Sequence, residues 1–184
     1  NSSLIWNEYH PFEKLPQSFN PKSGYLQNCN STPFKATTGD GNPIMELPLN
    51  TSIEEFQTNR AFRANELYGS DLSITSDEFK NYKFDTYYSN RSVMNTALTR
   101  FLKDVDRGDP KTKDAIELLE NWDLGNQKTN RGAALAQLTF KLTYDVNDYV
   151  YNYEKIHKKF IDAVDYLMKN FGRVDIELGK MQRL

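Results

Sequence analysis

The stretch 90–107, NRSVMNTALTRFLKDVDR, has the clearest helical pattern in the chain. Its apolar side chains recur every three or four residues, which places them along one face of an α-helix. They are Val93, Met94, Ala97, Leu98, Phe101, Leu102 and Val105. Gly108 follows the stretch, and glycine commonly ends helices. The stretch therefore predicts a helix with one buried face, in a mainly α-helical protein.

The segments that follow this stretch also have helical patterns. Asp109-Pro110 is suited to open a helix as its N-cap and first-turn proline. Ala133–Ala136 opens an alanine-rich helix, which we expect to lie centrally because its small side chains let neighbours approach closely. Apolar positions between Ile156 and Phe171 predict a final long helix, which Gly172 ends.

Upstream, the pattern predicts a helix that starts at Thr51 or Ser52, either of which is a favourable N-cap residue. Glu54 and Glu55 would then lie in the first turn, where acidic side chains stabilise the helix dipole, and Gly69 would end the helix.

Two shorter elements complete the predicted secondary structure. Ser76, which two acidic residues follow, predicts the start of a short helix. Val174, Ile176 and Leu178 alternate with polar residues, and this alternation predicts a strand after the last long helix.

Residues 1–50 differ from the rest of the chain in their proline content. The prolines are Pro11, Pro16, Pro21, Pro33, Pro43 and Pro48. Because proline at this density excludes a long helix, we expect an extended arm. Few side chains here could form a core, so the arm should belong to a larger domain. The predicted organisation is an arm over 1–50 and a helical subdomain over 51–184.

Within the arm, the stretch 24–34, GYLQNCNSTPF, predicts a short strand that ends in a polar turn. Asn28 and Asn30 lie in that turn, followed closely by Pro33. An asparagine held rigidly presents an amide N–H, which can stabilise a developing negative charge as an oxyanion hole does. Taken alone, the stretch is better explained as a structural turn.

Composition excludes several classes of function. The chain has 184 residues, enough for one domain with a sizeable core, and its formal net charge of −2 argues against nucleic acid or an anionic membrane surface as a partner. No apolar run approaches the length of a membrane span. The two histidines have no thiol or carboxylate at ligand spacing, so we expect no metal site.

The single cysteine, Cys29, excludes an internal disulfide. Cys29 and His10 could form a nucleophile and its base, as in a cysteine hydrolase, although nothing in the sequence would orient them. The commoner alternative is an unreactive thiol that packs as a small apolar group.

Several short motifs follow one another along the chain. In order they are HPFEKLP at 10–16 with NPKSG at 20–24, NCN at 28–30 with STP at 31–33, NRAFR at 59–63, LLENWD at 118–123 and FGRV at 171–174. Together they resemble the penicillin acylase (penicillin amidase) family of N-terminal-nucleophile hydrolases over nearly the whole chain. The resemblance is closer to the acyl-homoserine lactone and aculeacin acylase branch, which removes fatty acyl chains from lactones or lipopeptides, than to penicillin G acylase.

This resemblance implies that the chain is the helical subdomain of an αββα hydrolase. The family's nucleophile is the serine that begins the mature β chain, whose free amino group acts as general base, and amide hydrolysis passes through a tetrahedral intermediate and an acyl-enzyme. By the same resemblance, the Asn30 side-chain amide is one oxyanion-hole donor. Arg60 holds that asparagine and the polar groups around it in place.

The chain also departs from the family pattern. Ser2 and Ser3 are followed by Leu4-Ile5-Trp6, whereas the family opens its β chain with Ser-Asn-x-Trp. We therefore expect an internal piece of the β chain, inactive by itself, whose partners are the α chain, the rest of the β chain and a small-molecule amide. The resemblance implies a periplasmic or secreted parent, with any signal peptide absent from this chain or removed. Some relatives bind calcium, but no ligands are identifiable here, so no cofactor is predicted.

Binding without catalysis is a second class of function that is compatible with the same residues. The chain could be a helical binding or interaction module without catalytic chemistry, with Asn30 and Arg60 as ordinary loop and surface residues. A signal peptide, a spacer and a cleavage junction upstream in the parent gene would favour the acylase, and their absence would favour the module.

Overall fold

The computed structural model describes residues 9–44, 53, 55–140, 144–145, 150–151 and 153–182. These residues divide into two compact units, one ending at Lys83 and the other beginning at Phe84. The predicted mainly α-helical fold is confirmed. Among the described residues, no helix combines the length and the apolar character needed to cross a membrane.

The first unit combines turns with two helices. Among its described N-terminal residues, three short 3-10 helices occur, at Phe12–Lys14, Pro33–Lys35 and Gly39–Gly41. Helix α1 (Asn59–Gly69) and helix α2 (Ser76–Lys83) follow. The predicted end of the first helix at Gly69 and the predicted start of the second at Ser76 are both confirmed.

The second unit is built from five helices and one short hairpin in its described part. The helices are α3 (Val93–Asp104), α4 (Lys113–Glu120), α5 (Ala133–Phe140), α6 (Tyr153–Phe171) and α7 (Leu178–Met181). Strands β1 (Tyr144–Asp145) and β2 (Val150–Tyr151) pair antiparallel, with Tyr144 opposite Tyr151 and Asp145 opposite Val150. The helices predicted from the stripes in α3, α5 and α6 are all present.

Helix α5 is central in this unit, as its alanines predict. It packs against α3, α4, α6 and α7, and Ala133–Ala136 are wholly buried. Phe101 of α3 lies at the centre of the aromatic packing, with its ring centroid 5.9 Å from that of Phe140 and 4.9 Å from that of Phe160. The small side chains at the start of α5 and the Phe140 ring at its end therefore lie in one core with the rings of α3 and α6.

The predicted starts of two helices are wrong. Helix α1 begins at Asn59, capped by Thr58, and Ile53 and residues 55–58 are not helical. The proposed caps at 51 and 52 and the acid at 54 lie outside the described residues. The acidic residues at 54 and 55 are typical of a first helical turn. The residue that caps α1 is nevertheless Thr58, which also bonds to the Cys29 carbonyl in the same unit.

Helix α4 likewise begins at Lys113 rather than at Asp109-Pro110. The Asp109 carboxylate accepts a hydrogen bond from the Lys111 backbone N–H at 2.9 Å, and the Asp109 carbonyl accepts one from the Thr112 N–H at 3.1 Å. These bonds close a turn before the helix. The aspartate therefore caps the turn, and Thr112 is the residue that precedes the helix.

Both predicted strands are wrong. Residues 24–28 form no strand, although the Gln27 N–H donates to the Ala36 carbonyl at 2.8 Å. Residues 173–177 are irregular and lead into α7. Ile176 and Leu178 are both buried, so their alternation reflects contacts with a helical core and not a sheet. Where no neighbouring strand offers a ladder, an alternating pattern alone does not make a strand.

The proposed boundary near residue 50 marks the end of the proline-rich composition. In the structure, the described residues on both sides of it, up to Lys83, belong to one compact unit. The assignment of the arm to the catalytic sheet of a parent enzyme stays a prediction.

Candidate functional site

The asparagine turn is a defined structure. Asn30 has a backbone φ of +52°, a left-handed conformation that asparagine tolerates better than most residues. The Asn28 side-chain oxygen accepts a hydrogen bond from the Asn30 N–H at 3.3 Å. Two residues later, the Thr32 hydroxyl accepts one from the Phe34 N–H at 3.3 Å, at the start of a 3-10 helix. The two asparagines thus differ in role. The Asn28 side chain bonds within the turn and stabilises it, whereas the Asn30 side chain is exposed on the turn.

Arg60, in the first turn of α1, contacts this turn directly. Its Nη2 donates to the Asn30 side-chain oxygen at 2.7 Å and, more weakly, to the Cys29 carbonyl at 3.4 Å. Because a guanidinium has only donors, the atom of Asn30 that faces it must be the amide oxygen. The Asn30 Nδ2 is therefore directed away from Arg60.

The N-cap of α1 attaches the helix to the same turn. The Thr58 hydroxyl accepts from the Ala61 N–H at 3.1 Å and donates to the Cys29 carbonyl at 2.9 Å. Threonine is a favourable N-cap residue because its oxygen satisfies one of the free N–H groups of the first turn. The helix that carries Arg60 is thus fixed to the peptide that precedes Asn30.

Further along α1, Asn65 holds the two ends of the loop around the turn. Its side-chain oxygen accepts from the Tyr25 hydroxyl at 3.1 Å, and its Nδ2 donates to the Lys35 carbonyl at 3.0 Å. The Gln27 side chain also donates to the Lys35 carbonyl, at 3.0 Å. Helix α1 therefore supports the turn at its centre and at both of its ends.

The chemistry available at this site is hydrogen-bond donation toward a negative charge. Asn30 and Arg60 are both exposed, and within the part of the chain that the structure describes no hydrogen bond occupies the Asn30 Nδ2. Polarisation by a cation on the amide oxygen makes the N–H a better donor. An amide N–H fixed in this way can bind an oxyanion, but neither side chain is a nucleophile.

Sequence reasoning identified the asparagine and the arginine, 30 residues apart, and the structure brings them into contact. Their catalytic roles stay predictions. Sequence reasoning missed Thr58 and Asn65. Thr58 directly before an alternative helix start was a readable N-cap signal, whereas nothing in the sequence marks Asn65, since an asparagine within a helix is usually a solvated residue.

Trp122-Asp123, in the second unit, has a structural role just after the end of helix α4. The buried Trp122 donates its indole N–H to the Gly125 carbonyl at 2.9 Å. The Asp123 carboxylate accepts from the Gly125 N–H at 2.9 Å and from the Asn130 side chain at 2.7 Å. The carboxylate therefore fixes the loop between α4 and α5.

The remaining candidates gain no support. Cys29 is half-buried and His10 is exposed, and no hydrogen bond joins them among the described residues. Ser2 and Ser3 lie outside the described range. In the described ranges, no cluster of three or more His, Cys, Asp or Glu side chains could hold a metal ion.

A comparison of the sequence with known families agrees with the resemblance that the motifs indicate. The family model described as penicillin amidase matches residues 1–171, which include the asparagine turn, Arg60 and the Trp122-Asp123 segment. The match covers most of the chain, so its family is shown by more than the isolated motifs. The chain belongs to the penicillin amidase family of hydrolases.

Proposed function

We propose that this chain contributes half of an oxyanion hole to an acylase that hydrolyses the amide bond of an acylated small molecule. The observation that carries the proposal is the 2.7 Å hydrogen bond from Arg60 to the Asn30 oxygen, in a chain of the penicillin amidase family. It fixes the amide so that Nδ2 is the donor offered to a ligand. A backbone N–H elsewhere in the parent enzyme supplies the second donor.

In the proposed reaction, the hydroxyl of an N-terminal serine attacks the substrate carbonyl while the serine's own amino group takes its proton. The carbonyl oxygen becomes an oxyanion, to which the Asn30 Nδ2 donates. Collapse of the tetrahedral intermediate breaks the C–N bond, the amine leaves with the proton, and an acyl-enzyme ester remains. Attack by water then releases the acid and restores the serine.

The parent protein that we propose is periplasmic or secreted, and the chain's partners are its α chain and the remainder of its β chain. Candidate substrates are β-lactams, acyl-homoserine lactones and lipopeptides, and the motifs favour the branch that removes fatty acyl chains. Because Asn30 stabilises charge but cannot form a bond to the substrate, we expect this chain by itself to release no acyl group. A burst of acyl release that mutation of Ser2 or Ser3 abolished would contradict this.

The test is Asn30→Ala in the complete acylase. Removal of one oxyanion-hole donor typically lowers kcat by about 10²- to 10³-fold, because the lost bond forms mainly in the transition state. We expect that loss with a nearly unchanged KM, measured by steady-state hydrolysis of an acylated chromogenic amine. The circular dichroism spectrum should remain that of the wild type.

Asn81→Ala is the matched control, since Asn81 is an exposed asparagine in α2 of the same unit. We expect it to keep wild-type turnover. If a folded Asn30→Ala enzyme also kept wild-type turnover, Asn30 would not be an oxyanion donor.

The alternative, a helical binding module without catalytic chemistry, is less well supported because the chain belongs to a family of hydrolases. It would be favoured if the complete protein lacked a serine at a processed N-terminus and released no amine from any acylated substrate. A cysteine hydrolase that uses Cys29 would be supported only if alkylation of the thiol abolished activity.

A further inference from the structure

Thr58 is bonded on one side to helix α1 and on the other to the asparagine turn. A threonine hydroxyl has one proton to donate and two lone pairs to accept with. Here it accepts from the Ala61 N–H and donates to the Cys29 carbonyl, at 3.1 and 2.9 Å. The Thr58 carbonyl also accepts from the Phe62 N–H at 3.1 Å, so main chain and side chain both hold Thr58 to the helix.

The Cys29 carbonyl lies in the peptide unit directly before Asn30, so its hydrogen bonds affect the position of Asn30. It belongs to the planar peptide unit that ends at the Asn30 nitrogen, so fixing its oxygen fixes the plane from which Asn30 departs. Asn30 leaves that plane with a φ of +52°, a left-handed conformation that the surrounding contacts help to keep. The bond from Thr58 is the shorter of the two hydrogen bonds to this carbonyl, at 2.9 Å against 3.4 Å for the one from Arg60.

Thr58 and Arg60 also lie within the same helical start, two residues apart. Because the cap sets where the first turn begins, it sets the height of the guanidinium relative to the turn. One hydroxyl is thereby bonded both to the helix that carries Arg60 and to the peptide that precedes Asn30. If it were lost, Arg60 could still donate to the Asn30 oxygen, but the peptide that precedes Asn30 would lose its shorter bond to the helix, and the position of the Asn30 Nδ2 would be less restricted.

We infer that Thr58 is a positioning residue for the acylase reaction, which acts through Asn30 by locking the Cys29 peptide to the N-terminus of α1; the inference rests on the proposed function. Misplacing a catalytic group by about 1 Å can lower the rate by about 10²-fold. We expect replacement of the Thr58 hydroxyl to lower kcat by about 10- to 10²-fold with little change in KM, because the affected bond strengthens in the transition state.

Three substitutions in the complete acylase test the role of the Thr58 hydroxyl. Thr58→Val removes both bonds and preserves the side-chain shape. Thr58→Gly also removes both bonds, but glycine is a favourable residue type at an N-cap, so this variant should fold even if the valine variant does not. Thr58→Ser retains donor and acceptor, and should restore wild-type kcat.

Ser92 provides the control for loss of a helix cap alone. It is a buried N-cap whose hydroxyl accepts from the Asn95 N–H at 3.2 Å at the start of α3, in the other unit. Ser92→Ala should lower thermal stability and leave kcat unchanged.

Crystal structures of the glycine and serine variants at Thr58 give a readout that does not depend on activity. We expect the Asn30 side chain to change rotamer or become disordered in the first and to keep its place in the second.

The possible results distinguish a failure of this inference from a failure of the proposed function. If Asn30→Ala loses turnover but folded Thr58→Gly retains it, Thr58 does not position Asn30 and only the inference is overturned. An unchanged Asn30 side chain in the Thr58→Gly structure would also overturn it, whatever the kinetics. If Asn30→Ala itself retains turnover, the proposed function fails, and a displaced Asn30 in the Thr58→Gly structure would still support the structural coupling.

Discussion

The two compact units are stabilised by different means. Every residue of the buried apolar cluster lies between Met94 and Leu178, in the second unit. In the described part of the first unit, only Ala61, Thr32 and Thr37 are buried, whereas Phe19, Ile44 and Leu72 are among its many exposed apolar side chains. Its loops are held by hydrogen bonds from α1 to the segment 25–36.

The candidate site depends on hydrogen bonds more than on apolar packing. Burial of apolar surface is non-directional, so it stabilises a helical body without fixing one side chain. Hydrogen bonds fix angles and distances, which an oxyanion donor requires. The unit with the weaker core is therefore the one that presents Asn30.

Leucine truncation gives the largest expected difference between the units. Leu119 of α4 is fully buried and Leu72 is 99% exposed. Leu119→Ala should lower the free energy of unfolding by about 2–5 kcal/mol, because it removes buried apolar contacts and leaves a cavity. Leu72→Ala should change it by less than about 0.5 kcal/mol. Urea unfolding followed by circular dichroism measures both, and equal effects would contradict the contrast in packing.

Loss of one hydroxyl tests the polar side of the comparison. Tyr25→Phe removes the hydrogen bond to Asn65, which holds one end of the asparagine loop, and should cost about 0.5–1.5 kcal/mol. Tyr88→Phe is the matched change in the second unit. It should cost less, because the Gln137 amide that bonds to Tyr88 at 3.0 Å also donates to Asn126 at 2.9 Å. The opposite order in urea unfolding would show that the first unit does not depend on its hydrogen bonds.

The smallest expected effect is the pH response of Asp175. Its hydrogen bond with Arg173 and a second one from Arg131 lower the pKa of the Asp175 carboxyl to about 2. Because this pKa is below that of the unfolded chain, the carboxylate stabilises the folded state above about pH 4, and the contribution is lost as the pH falls through 2. Exposed ion pairs contribute only about 0.2–1 kcal/mol.

Asp175→Asn should therefore lower stability slightly at pH 7 and flatten its dependence on pH between about 4 and 2. Thermal unfolding measured across this range, with Asp162→Asn on the exposed face of α6 as control, tests the expectation. A variant whose stability fell with pH as steeply as that of the wild type would assign the acid response to other carboxylates.

Long apolar patterns in the sequence predict secondary structure correctly here, and short ones do not. Helix α6 is predicted together with its end, because a long apolar stripe between Ile156 and Phe171 has few alternatives and Gly172 adopts the left-handed φ of +69° that helix ends favour. The short segments at 24–28 and 174–178 were predicted wrongly as strands. Alternation over a few residues is equally compatible with a loop whose side chains reach a core, and only the neighbours decide.

The sequence by itself determined the mainly α-helical class, the family and the two residues at the centre of the candidate site, since periodicity and short motifs are properties of the chain. Only the tertiary structure decided that α1 starts after Thr58, because that hydroxyl is satisfied by both its own helix and a carbonyl 29 residues away. It also decided which atom of Asn30 is offered to a ligand. A donor-only guanidinium must face the amide oxygen, and no local pattern records where in space an arginine 30 residues away will lie.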